Sequence, residues 1–304
     1  MAKTKRPKPV HQMTEAQFEA YFPDEEACKA YLVKRRWPNG VYCPRCGNFK
    51  VFPVGTMAFK WQCYQCAPDQ GYRFSHIAGT IFENTNKPLR QWFKVVHLMT
   101  TSKKGISSLQ IKRQMGFGSY ETALNMTHKI RAAMMQPEEK LGGIVEVDET
   151  YVGGKDKNRH WDKKSGTSGR GYDRLRTPVV GAVKRKGNVI ARVVLGTDRD
   201  TVENFVHEVV SDKVSLLCTD AYQAYGRLHY RYPHGVVDHS AGQHVIGAIH
   251  TNTIEGFWSI FKRGVVGTFH KISRKYLPLY VAEFEFRYNN RFNPDIFGAA
   301  IGGC

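Results

Sequence analysis

The sequence predicts an α/β protein: a mixed five-stranded sheet with flanking helices, preceded by a small metal-binding module and a helical region. Three observations carry this expectation. Two CxxC pairs, Cys43 with Cys46 and Cys63 with Cys66, stand sixteen residues apart. Apolar residues recur at helical spacing from Pro88 onward and give way to strand-like runs after Gly142 and Gly143. Beyond that break Asp148 and Asp220 each lie at or near the end of an apolar strand, and a late helix carries Glu255.

With 304 residues, 41% of them hydrophobic, the chain is long enough for two or three cored domains. Its 45 Lys and Arg against 27 Asp and Glu leave a formal charge of +18, which suits a polyanionic partner. Nucleic acid is the first candidate and an anionic membrane surface the rival, but no apolar run reaches the roughly 18 residues of a spanning helix. The segment MAKTKRPKPVHQM is basic and lacks the apolar core of a signal peptide, so the expected location is the cytoplasm, in association with the nucleoid. A DNA-touching arm and an inert tail both fit it. Seven cysteines without a secretion signal argue against a disulfide framework, and Cys28, Cys218 and Cys304 read as small buried or terminal thiols.

Residues 1–36 are expected to form a basic arm and short helices, with a cap at Thr14 and a break at Pro23. Residues 37–82 are the expected zinc module. Each CxxC turn supplies two thiolates to a tetrahedral zinc ion, so Cys43, Cys46, Cys63 and Cys66 form one structural site. Residues 83–138 are the helical region: a buried helix from Pro88, then LQIKRQM capped by Ser107 or Ser108, a turn at Gly116 to Gly118, and a longer helix capped by Ser119 and stopped before Pro137. Helix, glycine turn and helix fit a helix-turn-helix, in which Ser119, Tyr120, Glu121, Asn125, His128 and Lys129 approach double-stranded DNA while Leu124 and Ile130 face inward. The pattern fits an ordinary helical hairpin equally; the charge surplus and the zinc module favour DNA.

Residues 139–304 are the expected catalytic domain. GIVEVDETYVGG reads as a strand, the basic stretch from Lys155 to Arg176 as an exposed loop, either a phosphate clamp or merely solvated, and PVVGAVKRKGNVIARVVLG as a hairpin turning at Gly187 and Asn188. A helix from Thr201, a fourth strand VSLLCTD, a fifth GVVDHS and a final helix from about Ser273 to Asn289 complete it. Between the last two lies HTNTIEGFWSIFKR, a helix capped by Thr251 or Asn252 and ended by Gly264. Glu255 and Lys262 are seven residues apart there and return to one face about 10 Å apart along the axis. By itself this stretch fits a capping box between Asn252 and Glu255 with a solvated Lys262. Strand alternation is expected to put Glu146 and Glu149 on the face opposite Asp148, where they read as structural or solvent-facing; Tyr222 and Tyr225 read as packing residues. His239, His250 and Asn252 are candidates to touch DNA or to position Glu255, although loop histidines and a capped helix start are the plainer reading.

The layout of strand, hairpin, helix, strand and helix with three acids resembles the RNase H-like catalytic core. More closely, the text CPRC, CYQC, YRFSHIAGTIFENTNKPLRQWF, VEVDETYVGGK, LLCTDAYQAY, HTNTIEGFWSIFKRGVVGTFH and EFEFRYNNRF resembles the zinc-ribbon-bearing DDE transposases of bacterial insertion sequences, those with the ISXO2-like transposase domain, over about residues 15 to 297. The spacing agrees: 71 residues separate Asp148 from Asp220 and 34 separate Asp220 from Glu255. The resemblance implies that Asp148, Asp220 and Glu255 bind metal. It matches Lys262 to a basic residue seven positions after the glutamate, and Lys262 and Arg263 are expected to contact DNA. Oxygen ligands suit two Mg2+ or Mn2+ ions, with Asp148 bridging both, Asp220 on one and Glu255 on the other. Such an enzyme binds the terminal inverted repeats of its element, cuts DNA and joins it to a target, as a homodimer or larger synaptic complex. A DNA-binding regulator without catalysis and a nuclease that cuts without joining are the alternatives.

Overall fold

A computed structural model of the chain describes residues 13–135, 137, 139–154 and 176–304. The basic arm up to residue 12 and the basic loop expected from Lys155, except Arg176, lie outside the described residues. The chain divides into two compact units, Met1–Met135 with Asn290–Cys304, and Gln136–Asn289. No helix among the described residues is long and apolar enough to cross a membrane.

In the first unit, α1 (Glu15–Tyr21) begins with a capping box in which Thr14 and Gln17 satisfy each other's backbone amides. Pro23 separates it from α2 (Glu25–Arg36), which Asp24 caps. Strands β1 (Phe52–Pro53), β2 (Lys60–Cys63) and β3 (Tyr72–Ser75) form a small antiparallel sheet. The buried α3 (Leu89–Thr101) has no local side-chain cap. The Glu25 carboxylate serves instead, accepting from Leu89 N at 2.8 Å and Arg90 N at 2.9 Å. α4 (Ser108–Met115) and α5 (Tyr120–Ala133) are capped by Ser107 and Ser119, and Gly116 ends α4 in the left-handed conformation at φ 66°.

The expected catalytic domain ran to residue 304, but its compact unit closes at Asn289. The C-terminal helix Ile296–Gly302 packs with the first unit because Phe297 completes an aromatic cluster, 5.4 Å from Phe22 and 5.6 Å from Phe93 between ring centroids. Sequence periodicity does not reveal which core a terminal apolar helix joins.

The second unit holds β4 (Ile144–Val152), β5 (Thr177–Lys184), β6 (Val189–Val193), α6 (Arg199–Val209), β7 (Leu216–Asp220), β8 (His234–Val237), α7 (Asn252–Gly264) and α8 (Leu277–Asn289). The sheet order is β6-β5-β4-β7-β8, with β4, β5 and β6 antiparallel and β4, β7 and β8 parallel. Both faces are covered, so β5 reads as a continuous apolar run rather than an alternation. Val145, Val147, Val180 and Ala182 meet α6 on one face; Val179, Val183 and Val189 meet α7 and α8 on the other.

Three local expectations need correction. α6 begins at Arg199 behind a cap from Asp198, two residues before the expected start at Thr201. In the hairpin, Lys186 takes the left-handed conformation at φ 60°. Gly264 is the last residue of α7 as expected, but at φ −67° it does not stop the helical run, which continues through a π-helical turn, Val265–Phe269, until His270 breaks it at φ 57°.

Candidate active site

Three acids, from mid-β4, the end of β7 and the start of α7, come close enough for Asp148 to feel the charges of the other two. Asp148 lies in β4, paired across β5 with Gly181. Parallel pairing sets Glu146 against Cys218, so two residues further along each strand Asp148 and Asp220 come level. Glu255 arrives from the first turn of α7, whose Ile254, Phe257, Trp258 and Phe261 are buried in the core against the sheet.

Trp258 approaches so closely that a Cβ at Gly181 would lie 2.7 Å from its ring. Glycine opposite Asp148 thus lets α7 lie down on the sheet.

Charge couples the three positions. Burial, then the charges of Glu149, Asp220 and Glu255, push the Asp148 carboxyl up to about 7. Burial also raises Asp220, against the backbone NH of Tyr222 and the nearby His239. His239 Nε2 is 3.5 Å from Glu255 Oε1 and 3.2 Å from Thr251 Oγ1, and that hydroxyl donates to Glu255 at 2.7 Å. Neighbouring carboxylates with oxygen donors fit a hard divalent cation, whose charge would offset the burial and repulsion that raise Asp148.

Lys262 and Arg263 are exposed in the last turn of α7, both about two helical turns beyond Glu255, and Arg263 Nε donates to Ser259 O.

In the first unit the four cysteines meet. Their Sγ atoms all lie within 4.8 Å of one another, with Cys43 to Cys66 at 3.8 Å and Cys46 to Cys63 at 3.7 Å. A tetrahedron of Zn–S bonds of about 2.3 Å has edges of about 3.8 Å, so the donor set suits zinc. Of the helical residues expected at DNA, Ser119, Tyr120, Glu121 and Asn125 are exposed. Lys129 is exposed too but donates to Ile81 O at 3.2 Å. His128 is a correction: it is half-buried, and burial followed by the charge of Arg131 pushes its pKa down to about 4, so it is neutral.

Residues 140–289 match the family model of the ISXO2-like transposase domain, and residues 23–68 match that of the transposase zinc-ribbon domain. The chain thus carries an ISXO2-like transposase domain together with a transposase zinc-ribbon domain. This transposase is 29% identical over 277 residues to an uncharacterized protein in transposable element ISH50 of Halobacterium salinarum, a match covering 88% of this chain and 91% of the relative. Among solved structures, a simian T-cell lymphotropic virus intasome in complex with PP2A regulatory subunit B56 gamma aligns over 64% of this chain and 65% of that chain, at 15% identity and a TM-score of 0.28. The zinc-ribbon match starts at Pro23, just before α2, and stops short of β3, so it frames the module differently from the expected 37–82.

Sequence reasoning missed several supports of this transposase's acids. Glu146 is neither solvent-facing nor idle: fully buried, it accepts from Thr253 N at 2.7 Å, Ile254 N at 3.1 Å and Thr253 Oγ1 at 2.8 Å. The expected cap at Thr251 or Asn252 is absent from α7, since the N-cap residue Thr251 makes no side-chain capping bond and its hydroxyl goes to Glu255. Arg185 binds Glu146 Oε1 through Nε at 2.6 Å and holds the carbonyls of Ala248 and His250 at 2.6 and 3.0 Å. Glu149, on the opposite face from Asp148, accepts from the buried Tyr225 hydroxyl, so Tyr225 does more than pack. The expectation that Glu146 lies opposite Asp148 is corrected: two residues before Asp148 in one strand, it shares that face, on the α7 side.

Proposed function

We propose that this transposase is a metal-dependent DNA strand-transfer enzyme with an RNase H-like catalytic unit, in which Asp148, Asp220 and Glu255 hold two Mg2+ or Mn2+ ions. The observation that supports this reading is the electrostatic coupling of the three acids, in which Asp148 feels the charges of both others. The sheet order, an antiparallel hairpin continued by two parallel strands, supports the fold assignment.

When bound, divalent ions activate the attacking oxygen and stabilise the leaving one in phosphodiester chemistry. The chain's own residues then have distinct tasks. Asp148 gives up its proton to become a ligand. Asp220 and Glu255 complete the oxygen donor set from β7 and α7. Lys262 carries a positive charge about 10 Å along the helix from Glu255, at a reach suited to a DNA phosphate rather than to proton transfer. In the first step, a water oxygen bonds to the phosphorus at the element end, and the bond to the 3′ oxygen breaks to leave a 3′ hydroxyl. In the second, that hydroxyl attacks a target phosphodiester and the target's own 3′ oxygen leaves. One phosphodiester replaces another, so no nucleotide triphosphate is needed.

The zinc ribbon and the α4–α5 pair, read as a helix-turn-helix, are assigned to recognition of the terminal inverted repeats. Ser119, Tyr120, Asn125 and Lys129 lie on its candidate DNA face, and Arg263 joins Lys262 at the cleavage site. Two ends must be handled together, which calls for a dimer or larger assembly.

The test incubates zinc-loaded protein with a labelled inverted-repeat end and a supercoiled plasmid in Mg2+ or Mn2+, beside Asp220→Ala. Joined product that disappears in the variant is expected. Cutting without joining would make it a nuclease, and binding without chemistry a regulator.

A further inference from the structure

We infer that Glu146 is a positioning residue that sets Glu255 against Asp148 by clamping the start of α7; the inference rests on the assignment of those two acids to one cation site.

A carboxylate with no exposed surface is tolerated only when its charge and lone pairs are satisfied. Glu146 is satisfied entirely by groups that govern α7. Oε2 takes the backbone NH groups of Thr253 and Ile254, two of the donors that the first turn of a helix leaves without intrahelical partners. Oε1 takes the Thr253 hydroxyl and the Arg185 guanidinium, and His250 Nδ1 lies 3.2 Å away. The negative charge at a helix N-terminus is favoured by the aligned peptide dipoles.

Connectivity turns this cap into a ruler. Asp148 is two residues after Glu146 on the same strand face, and Glu255 directly follows the capped amide of Ile254. The path from one acid to the other is therefore a short piece of rigid strand, two hydrogen bonds and one residue step of helix. Arg185 fixes the approach to α7 as well, through the carbonyls of Ala248 and His250. No local side chain caps α7, so its axial position depends on a residue of the strand that carries the first acid. A cap from Thr251 or Asn252 would satisfy the helix equally well without tying it to β4; the link to β4 is what Glu146 adds.

The test uses full-length zinc-loaded protein as wild type, Glu146→Gln and Thr253→Val. Glu146→Gln keeps the shape and an acceptor oxygen but loses the charge facing Arg185; Thr253→Val keeps the helix amide and loses one bond. Mn2+ affinity is measured by titration calorimetry, DNA-end binding in Ca2+ by gel shift, and single-turnover cutting in Mn2+. Outer-shell changes of this kind weaken metal affinity or activity by about 10- to 100-fold. That loss is expected for Glu146→Gln in both Mn2+ affinity and cutting, with a smaller loss of the same kind for Thr253→Val and end binding kept in both. Excess Mn2+ should recover part of the cutting rate. Folded variants with lower melting temperatures but wild-type Mn2+ affinity and cutting would overturn the inference and leave Glu146 as a stabilising cap. Wild-type protein that binds no Mn2+ would instead overturn the cation site itself.

Discussion

Tyr225 donates its hydroxyl to Glu149 Oε2 at 2.7 Å, on the face of β4 opposite the one that presents Asp148. The phenol is fully buried, and the bond holds the Glu149 carboxyl down against the burial that raises it. Tyr225→Phe strands that carboxylate without its donor. The expected cost is about 1–3 kcal/mol, read as a lower midpoint in denaturant titration.

Stability of the protein without added divalent cation should fall as pH rises. The Asp148 carboxyl moves from an ordinary value of 3.8 to about 7 in the folded state, and Asp220 and Glu149 shift upward too. A raised carboxyl holds its proton more tightly when folded, so its stabilisation is full below pH 3.8 and is lost on rising through 7. Melting curves between pH 4 and 8 should show this contribution. Mn2+ affinity should move the other way, increasing with pH through about 7 as the Asp148 proton is displaced. A flat affinity across that range would contradict the coupled site.

Gly181→Ala tests how closely α7 must approach β4. Its new methyl would lie 2.7 and 2.9 Å from the Trp258 ring and 3.3 Å from Ile254 Cδ1. The ring is wedged in the core, so the helix must shift. Destabilisation of about 1–3 kcal/mol is expected, together with slower DNA cutting. Wild-type cutting would show that Glu255 tolerates that shift.

Removing zinc should unfold the module of β1–β3 selectively. Its small core consists of Trp37, Cys43, Cys63, Phe74 and Ala78, too few side chains to replace the metal. Chelation should release one zinc per chain and change fluorescence from Trp37 and Trp61. Cys63→Ser, at a buried ligand, should bind zinc weakly.

Lys262→Ala is expected to preserve Mn2+ affinity, because the exposed amine lies about two helical turns from Glu255 and is proposed to meet DNA. Cutting should slow about tenfold or more, with the largest loss at low DNA concentration. Loss of Mn2+ binding would place the lysine in the metal site's support instead.

The sequence by itself determined what depends on neighbours along the chain. The spacing within the two CxxC pairs, the caps at Thr14, Ser107 and Ser119, the break at Pro23 and the five strands are local signals of turns, orphan amides and apolar runs. Asp220 at the end of β7 and Glu255 in the first turn of α7 were legible for the same reason, whereas Asp148, expected at or near a strand end, sits mid-strand in β4. Tertiary structure decided everything that depends on partners far along the chain. Glu25 and Glu146 cap helices 64 and 107 residues away, so a local scan finds α3 and α7 without caps. Phe297 chooses the first unit's aromatic cluster, and Gly181 matters only because Trp258 lands on it. Burial is the physical reason: a carboxylate, a ring or a missing Cβ acquires its role from what surrounds it, and only packing supplies the surroundings.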